Sequence, residues 1–132
     1  MGGDANTVQA TIAEGRTGLM PPFGPALGEG GVKDVAHYVM SLSGGAADSI
    51  RVAKGKELYE KTCIACHGAE GRGNPALGAP NLSDRIWLHG SGEAAIIETV
   101  AKGRQNQMPA HRGILSEGKI RLLTAYVLSL SK

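Results

Sequence analysis

The chain has 132 residues and a formal net charge of +2. That suits one domain or slightly more and leaves no electrostatic footprint for nucleic acid or a strongly acidic partner. Its aromatic side chains, Phe23, Tyr38, Tyr59, Trp87 and Tyr126, are too few to fill a core alone, and no run approaches the about 18 apolar residues of a membrane span.

The first residues, Met1-Gly2-Gly3-Asp4-Ala5-Asn6, lack the apolar stretch of a signal peptide. The chain is therefore expected to have lost a targeting segment or to be a piece of something longer. Helices are expected over residues 6–14 and 31–42, as a repeat of the last two helices of the chain, and Gly44-Gly45-Ala46-Ala47 reads as a linker. A helix follows over 51–62, with Val52, Leu58 and Tyr59 on one side. Residues 68–82, rich in glycine and proline, read as a loop. A helix over 92–102 turns Ala95, Ile96, Thr99 and Val100 inward, and residues 103–113 form a polar non-helical stretch. The last helix, 117–130, has Ile120, Leu123, Val127 and Leu130 at helical spacing and Ser116 as N-cap. Gly55 and Tyr126 are candidates for close contact between the helices over 51–62 and 117–130. No strand-like alternation competes with this helical reading.

Between the 51–62 helix and the loop stands Cys63-Ile64-Ala65-Cys66-His67. Cys-x-x-Cys-His is the attachment signature of a c-type haem. Each thiol adds across one vinyl group, and the adjacent histidine binds the iron from one side. A thioredoxin-like redox pair would need a strand–helix–strand setting that is absent here. A zinc site would need two more ligands at suitable spacing. One covalent haem c also supplies the apolar bulk that the composition lacks, and it uses both cysteines, so no structural disulfide remains. Attachment of such a haem takes place outside the bacterial cytoplasm, so the motif implies a periplasmic location.

The second axial ligand must come from another segment. Met108 leads, 41 residues after His67. A soft thioether favours ferrous iron, and Pro109 holds the segment extended. An ordinary core methionine is the alternative. His111 is close enough to replace Met108. His89 reads as a surface or propionate-side histidine, and His37 as a surface or interface residue. A proximal histidine usually donates its other ring N–H to a carbonyl, which Pro80 is placed to supply. Leu82 would then pack on the haem face. Trp87 and Arg104 are candidates for the haem propionates, with a core aromatic and a solvated charge as the plain alternatives.

Shifting the sequence by 88 residues lays it on itself without a gap. Thr11 falls on Thr99, Gly15-Arg16 on Gly103-Arg104, Met20-Pro21 on Met108-Pro109, Tyr38-Val39 on Tyr126-Val127 and Ser41-Leu42-Ser43 on Ser129-Leu130-Ser131. Two tandem copies of one domain type are implied. The first copy, residues 1–44, is expected to hold only the back half of a domain, without its haem motif. Residues 45–132 are expected to be a complete monohaem domain. Met20, the counterpart of Met108, then belongs to the missing first haem, or it binds another molecule's iron or swaps in. Residues 4–43 expose helices that need a cover, which suggests a homodimer or a domain swap.

Gly55-Lys56-Glu57-Leu58-Tyr59, Cys63-Ile64-Ala65-Cys66-His67-Gly68, Gly78-Ala79-Pro80-Asn81-Leu82 and Met108-Pro109-Ala110 together resemble class I cytochromes c. More closely, residues 50–132 are similar to the C-terminal domain of the dihaem subunit (CcoP or FixP) of cbb3-type cytochrome c oxidases. The residues that carry this are Ala79-Pro80-Asn81-Leu82-Ser83-Asp84-Arg85-Ile86-Trp87-Leu88, Asn106-Gln107-Met108-Pro109-Ala110-His111 and Leu122-Leu123-Thr124-Ala125-Tyr126-Val127-Leu128-Ser129-Leu130-Ser131. Residues 4–43 look like the end of the same subunit's first cytochrome domain. The resemblance implies an all-α class I cytochrome c fold, with three main helices around the covalent haem, preceded by a helical partial domain. It implies one-electron transfer rather than enzymatic bond chemistry. The expected partners are other oxidase subunits and a soluble periplasmic cytochrome donor. The family subunit is anchored to the membrane, whereas this chain is expected to make no membrane contact itself. A gas-binding or sensing module, or a weak peroxidase with a labile distal ligand, is the alternative.

Overall fold

The computed structural model describes residues 3–131. Met1, Gly2 and Lys132, at the outer ends of the two predicted segments, lie outside the described residues. The elements in chain order are α1 (Ala5–Glu14), β1 (Arg16–Met20), α2 (Gly24–Leu42), α3 (Ser49–Thr62), α4 (Ile64–His67), a 3-10 turn (Pro75–Leu77), α5 (Glu93–Lys102), β2 (Arg104–Met108) and α6 (Glu117–Leu130). The predicted helices are all present. Side-chain caps set the starts of α1, α3 and α6: Asp4 accepts from Thr7 N, Asp48 from Ile50 N and Arg51 N, and Ser116 from Lys119 N. Helix α2 breaks at Gly28, whose φ of 69° is non-helical, so its regular part is residues 29–42.

The strands depart from the sequence expectation. β1 and β2 pair as a two-stranded sheet. Alternating hydrophobicity did not announce them, because β2 is Arg-Gln-Asn-Gln-Met and mostly exposed. Backbone pairing holds such a ladder, and it needs no apolar face.

By packing, the chain forms two compact units. One is Leu19–Arg104; the other joins the chain up to Gly18 with the chain from Gln105 onward. In the first of these, α2 packs on both α3 and α5. Val32, Val35, Ala36, Val39, Tyr59, Cys63, Ile96 and Val100 form its core. Gly55 lets α2 and α3 approach: a side chain there would run into the carbonyl of Asp34 and lie 2.9 Å from Cβ of Tyr38. The sequence expectation paired Gly55 with Tyr126. The structure gives that place to Tyr38, whose ring lies 5.0 Å from that of Tyr59, while Tyr126 is exposed. In the other unit α1 packs on α6 through Ile12, Ala13 and Ile120, with Val8 and Leu115 beside them. Of the α6 stripe expected from spacing, Ile120 is buried, whereas Leu123, Val127 and Leu130 are exposed. Among the described residues, no helix is long and apolar enough to cross a membrane.

Candidate haem attachment site

Helix α3 delivers the motif. Its last turn closes with Cys63 N donating to the carbonyl of Tyr59 at 2.8 Å, and the carbonyl of Cys63 then accepts from Cys66 N at 3.2 Å and His67 N at 2.9 Å. One tight turn, α4 with Cys63 as its N-cap, therefore holds both cysteines and the histidine. Cys63 is buried and Cys66 exposed, and neither is in a disulfide. Burial pushes the Cys63 thiol above its ordinary range, against the opposing effect of the Thr62 hydroxyl, which lies 3.4 Å from the sulfur.

His67 is buried, and its Nδ1 lies 3.1 Å from the carbonyl of Pro80. A carbonyl can only accept, so Nδ1 carries the proton and Nε2 keeps its lone pair. Burial pulls the imidazole below its ordinary range, although the Pro80 bond works the other way. The ring is thus kept as the neutral form that ligates metal. The Pro80 loop is held by two crossings. Leu82 N donates to the carbonyl of Gly71 at 2.6 Å, and Gly73 N to the carbonyl of His67 at 2.8 Å. Gly73 has φ 81°, and any Cβ there would strike the Ala79 and Pro80 backbone at 2.5–2.7 Å. Glycine at 73 is therefore a condition for bringing Pro80 to His67. Beneath the turn, the Tyr59 hydroxyl donates to the carbonyl of Gly68 at 2.7 Å. Burial pushes its pKa up to about 12, so it remains a donor throughout the physiological range.

These residues fit a c-type haem. The turn presents two unpaired thiols and one neutral imidazole whose tautomer is fixed from behind. Cys63 and Cys66 would hold the porphyrin through thioethers, and His67 would bind the iron through Nε2.

The other expected site residues divide between the units. Pro80, Leu82, Trp87 and Arg104 lie with His67 in the Leu19–Arg104 unit, whereas Met108 lies in the other. Leu82 and Trp87 are half-buried against the core that includes Cys63. Arg104 Nε donates to Thr99 Oγ1 at 3.0 Å. His111 belongs to the unit of Met108 and has a buried Nδ1 without a hydrogen bond among the described residues. His89 is exposed. His37 is buried at an interface: its Nδ1 accepts from Asp48 N at 3.0 Å, so Nε2 carries the proton and faces Glu93 Oε1 at 3.2 Å. Met20, which the sequence reading gave to a missing first haem or to a swap, is also placed by the fold. It lies in the unit of His67 and packs on the same core as Cys63.

Residues 51–127 match the family described as cytochrome C oxidase, cbb3-type, subunit III. A CcoP subunit of cbb3-type cytochrome c oxidase from Rubrivivax gelatinosus is 42% identical over 132 residues, covering 99% of this chain and 43% of that protein. A FixP subunit from Azorhizobium caulinodans is 41% identical over 138 residues, 98% of this chain and 47% of that protein. A FixP subunit from Bradyrhizobium diazoefficiens is 50% identical over 97 residues, 73% of this chain and 33% of that protein. The chain thus spans less than half the length of these relatives. A helical protein with this attachment turn and this match is a cytochrome c of all-α class I type, and the chain belongs to the subunit III family of cbb3-type cytochrome c oxidases.

Proposed function

We propose that this chain binds one haem c through Cys63, Cys66 and His67 and passes single electrons within the periplasmic electron-entry subunit of a cbb3-type oxidase. When bound, the haem supplies a ferric–ferrous couple. The protein's share is to anchor, orient and shield. Cys63 and Cys66 would fix the porphyrin to this turn through thioethers, each formed by adding its thiol across a vinyl group. Pro80 holds the His67 ring so that Nε2 is aimed and basic. The buried Tyr59, bonded to the carbonyl of Gly68, keeps water from behind the turn. A methionine thioether as second ligand would raise the reduction potential and close the iron to oxygen. Electrons would arrive from a soluble periplasmic cytochrome through a small, transient contact and leave towards other oxidase subunits. The chain would perform no bond chemistry of its own.

The observation that supports this best is the His67 Nδ1 to Pro80 bond beside two unpaired cysteines. The test is denaturing electrophoresis followed by haem staining, then spectroelectrochemistry on the native protein. Haem that stays with the denatured chain and cycles reversibly is the expected result. Haem that washes out, or a ferrous form that binds carbon monoxide rapidly, overturns the electron-carrier reading and favours a gas-binding module.

A further inference from the structure

The 88-residue repeat, laid on the structure, matches element to element. α1 corresponds to α5, β1 to β2, and the regular part of α2 to α6, with the same limits in each pair. The packing does not follow the copies. Phe23 N donates to the carbonyl of Val100 at 2.9 Å, and its counterpart, His111 N, donates to the carbonyl of Ile12 at 3.0 Å. The second bond is the first with both partners shifted to the other copy: 23 becomes 111 and 100 becomes 12. The carbonyl of Met20 lies against Gly103, and the carbonyl of Met108 against Gly15. Each strand-and-helix tail is thus joined to the helix of the other repeat.

The exchange decides which tail serves the haem turn. α5 receives β1 and α2, and α2 continues onto α3, which leads into Cys63, Cys66 and His67. Two further contacts match α2 to this place. Asp34 Oδ1 accepts from Arg51 at 2.8 Å, and His37 bridges Glu93 and Asp48. In α6 the corresponding residues are Leu122 and Ala125, which can form neither bond. Met20 enters the His67 unit with this tail and packs half-buried on the core that holds Cys63. Met108 is in the other unit and is 39% exposed.

From this we infer that Met20, and not Met108, supplies the second axial ligand to the iron held by His67. The inference rests on the proposed haem at Cys63 and Cys66 and assigns one more residue to it. Both methionines follow an arginine by four residues and precede a proline. They therefore offer equivalent thioethers, and the choice is made by the helix that follows. Asp34 and His37 make α2 the better complement of α3.

The experiment uses the full chain with haem attached and the volume-conserving variants Met20→Leu and Met108→Leu, which keep the packing. The ferric spectrum is searched for the weak far-red sulfur-to-iron charge-transfer band, and the reduced protein is examined by NMR for the upfield-shifted methyl of a ligating methionine. Loss of both signals in Met20→Leu, with both retained in Met108→Leu, is expected. The reverse pattern overturns the assignment, as does retention of both signals in each single variant. In the parent protein, methionine-selective isotope labelling identifies the shifted methyl even if a variant fails to fold; its assignment to Met108 also overturns the proposal. A chain without covalent haem overturns the underlying haem reading and this assignment with it, whereas a covalent haem with Met108 as ligand overturns only the assignment.

Discussion

Helices α2 and α6 come from corresponding parts of the repeat, yet they live in different surroundings. In both, one strip is buried: Val32 and Ala36 in α2, Ile120 and Thr124 in α6. The next strip differs. Val35 and Val39 of α2 are 0% and 4% exposed, whereas their counterparts Leu123 and Val127 are 40% and 42% exposed. The cause is the number of neighbours. α2 has α3 and α5 to pack against in its unit; α6 has α1 in its own. An amphipathic stripe in a sequence thus records which residues need cover, not which helix provides it.

The comparison breaks most sharply at Gly55. Gly55→Val would drive a branched side chain into the Asp34 carbonyl and is expected to cost about 3 kcal/mol, the upper range for overpacking. Urea unfolding followed by the fluorescence of Trp87, which packs on that core, checks it. An unchanged midpoint would mean that α2 and α3 do not pack this way.

A smaller effect is expected from pH. The hydrogen bond with His37 holds the Glu93 carboxyl below its usual range; partial burial opposes this, and the charges of His37 and Lys33 reinforce it. A carboxylate with a lowered folded pKa contributes stability above its unfolded value, and loses that contribution as pH falls through the folded value. Thermal melts across the acid range should therefore decline more steeply for the parent than for Glu93→Gln as pH drops below about 4.5. Parallel curves would remove His37–Glu93 from the account of why α2 suits its site.

The smallest effect belongs to α6. Leu122 is 73% exposed, so Leu122→Lys should change stability by no more than about 0.5 kcal/mol, measured by chemical denaturation. A large loss would show that this face is covered in solution and would erase the contrast with α2.

Much of this was legible beforehand where chemistry dictates spacing. The Cys-x-x-Cys-His spacing puts Cys63, Cys66 and His67 on one turn, and the carbonyl of Pro80 lies against His67 Nδ1, where the sequence reading placed it. The start of α6 followed from Ser116, whereas the Asp48 cap that starts α3 two residues earlier than expected was not read from the sequence. The β1–β2 ladder was not legible, since backbone bonds hold it and β2, Arg-Gln-Asn-Gln-Met and mostly exposed, carries no hydrophobic alternation. Nor was the identity of the helix on Gly55. Tyr38 and Tyr126 are equivalent in the repeat, so local sequence suits both. The distinction lies in single polar positions, Asp34 against Leu122 and His37 against Ala125, whose partners on α3 and α5 are visible only once the fold is known.

The contact of Gly55 with Tyr38 also sets an order of events. These residues are 17 apart along the chain, whereas Gly55 and Tyr126 are 71 apart. Closing the shorter loop costs about 1.3 kcal/mol less by the logarithmic dependence of loop entropy on length. During synthesis, α2 and α3 are both finished before the first residue of α6 exists. The hairpin they form can therefore occupy the face beside the Cys63–His67 turn before α6 is available to compete, so that chain order and loop length favour the same partner as Asp34 and His37.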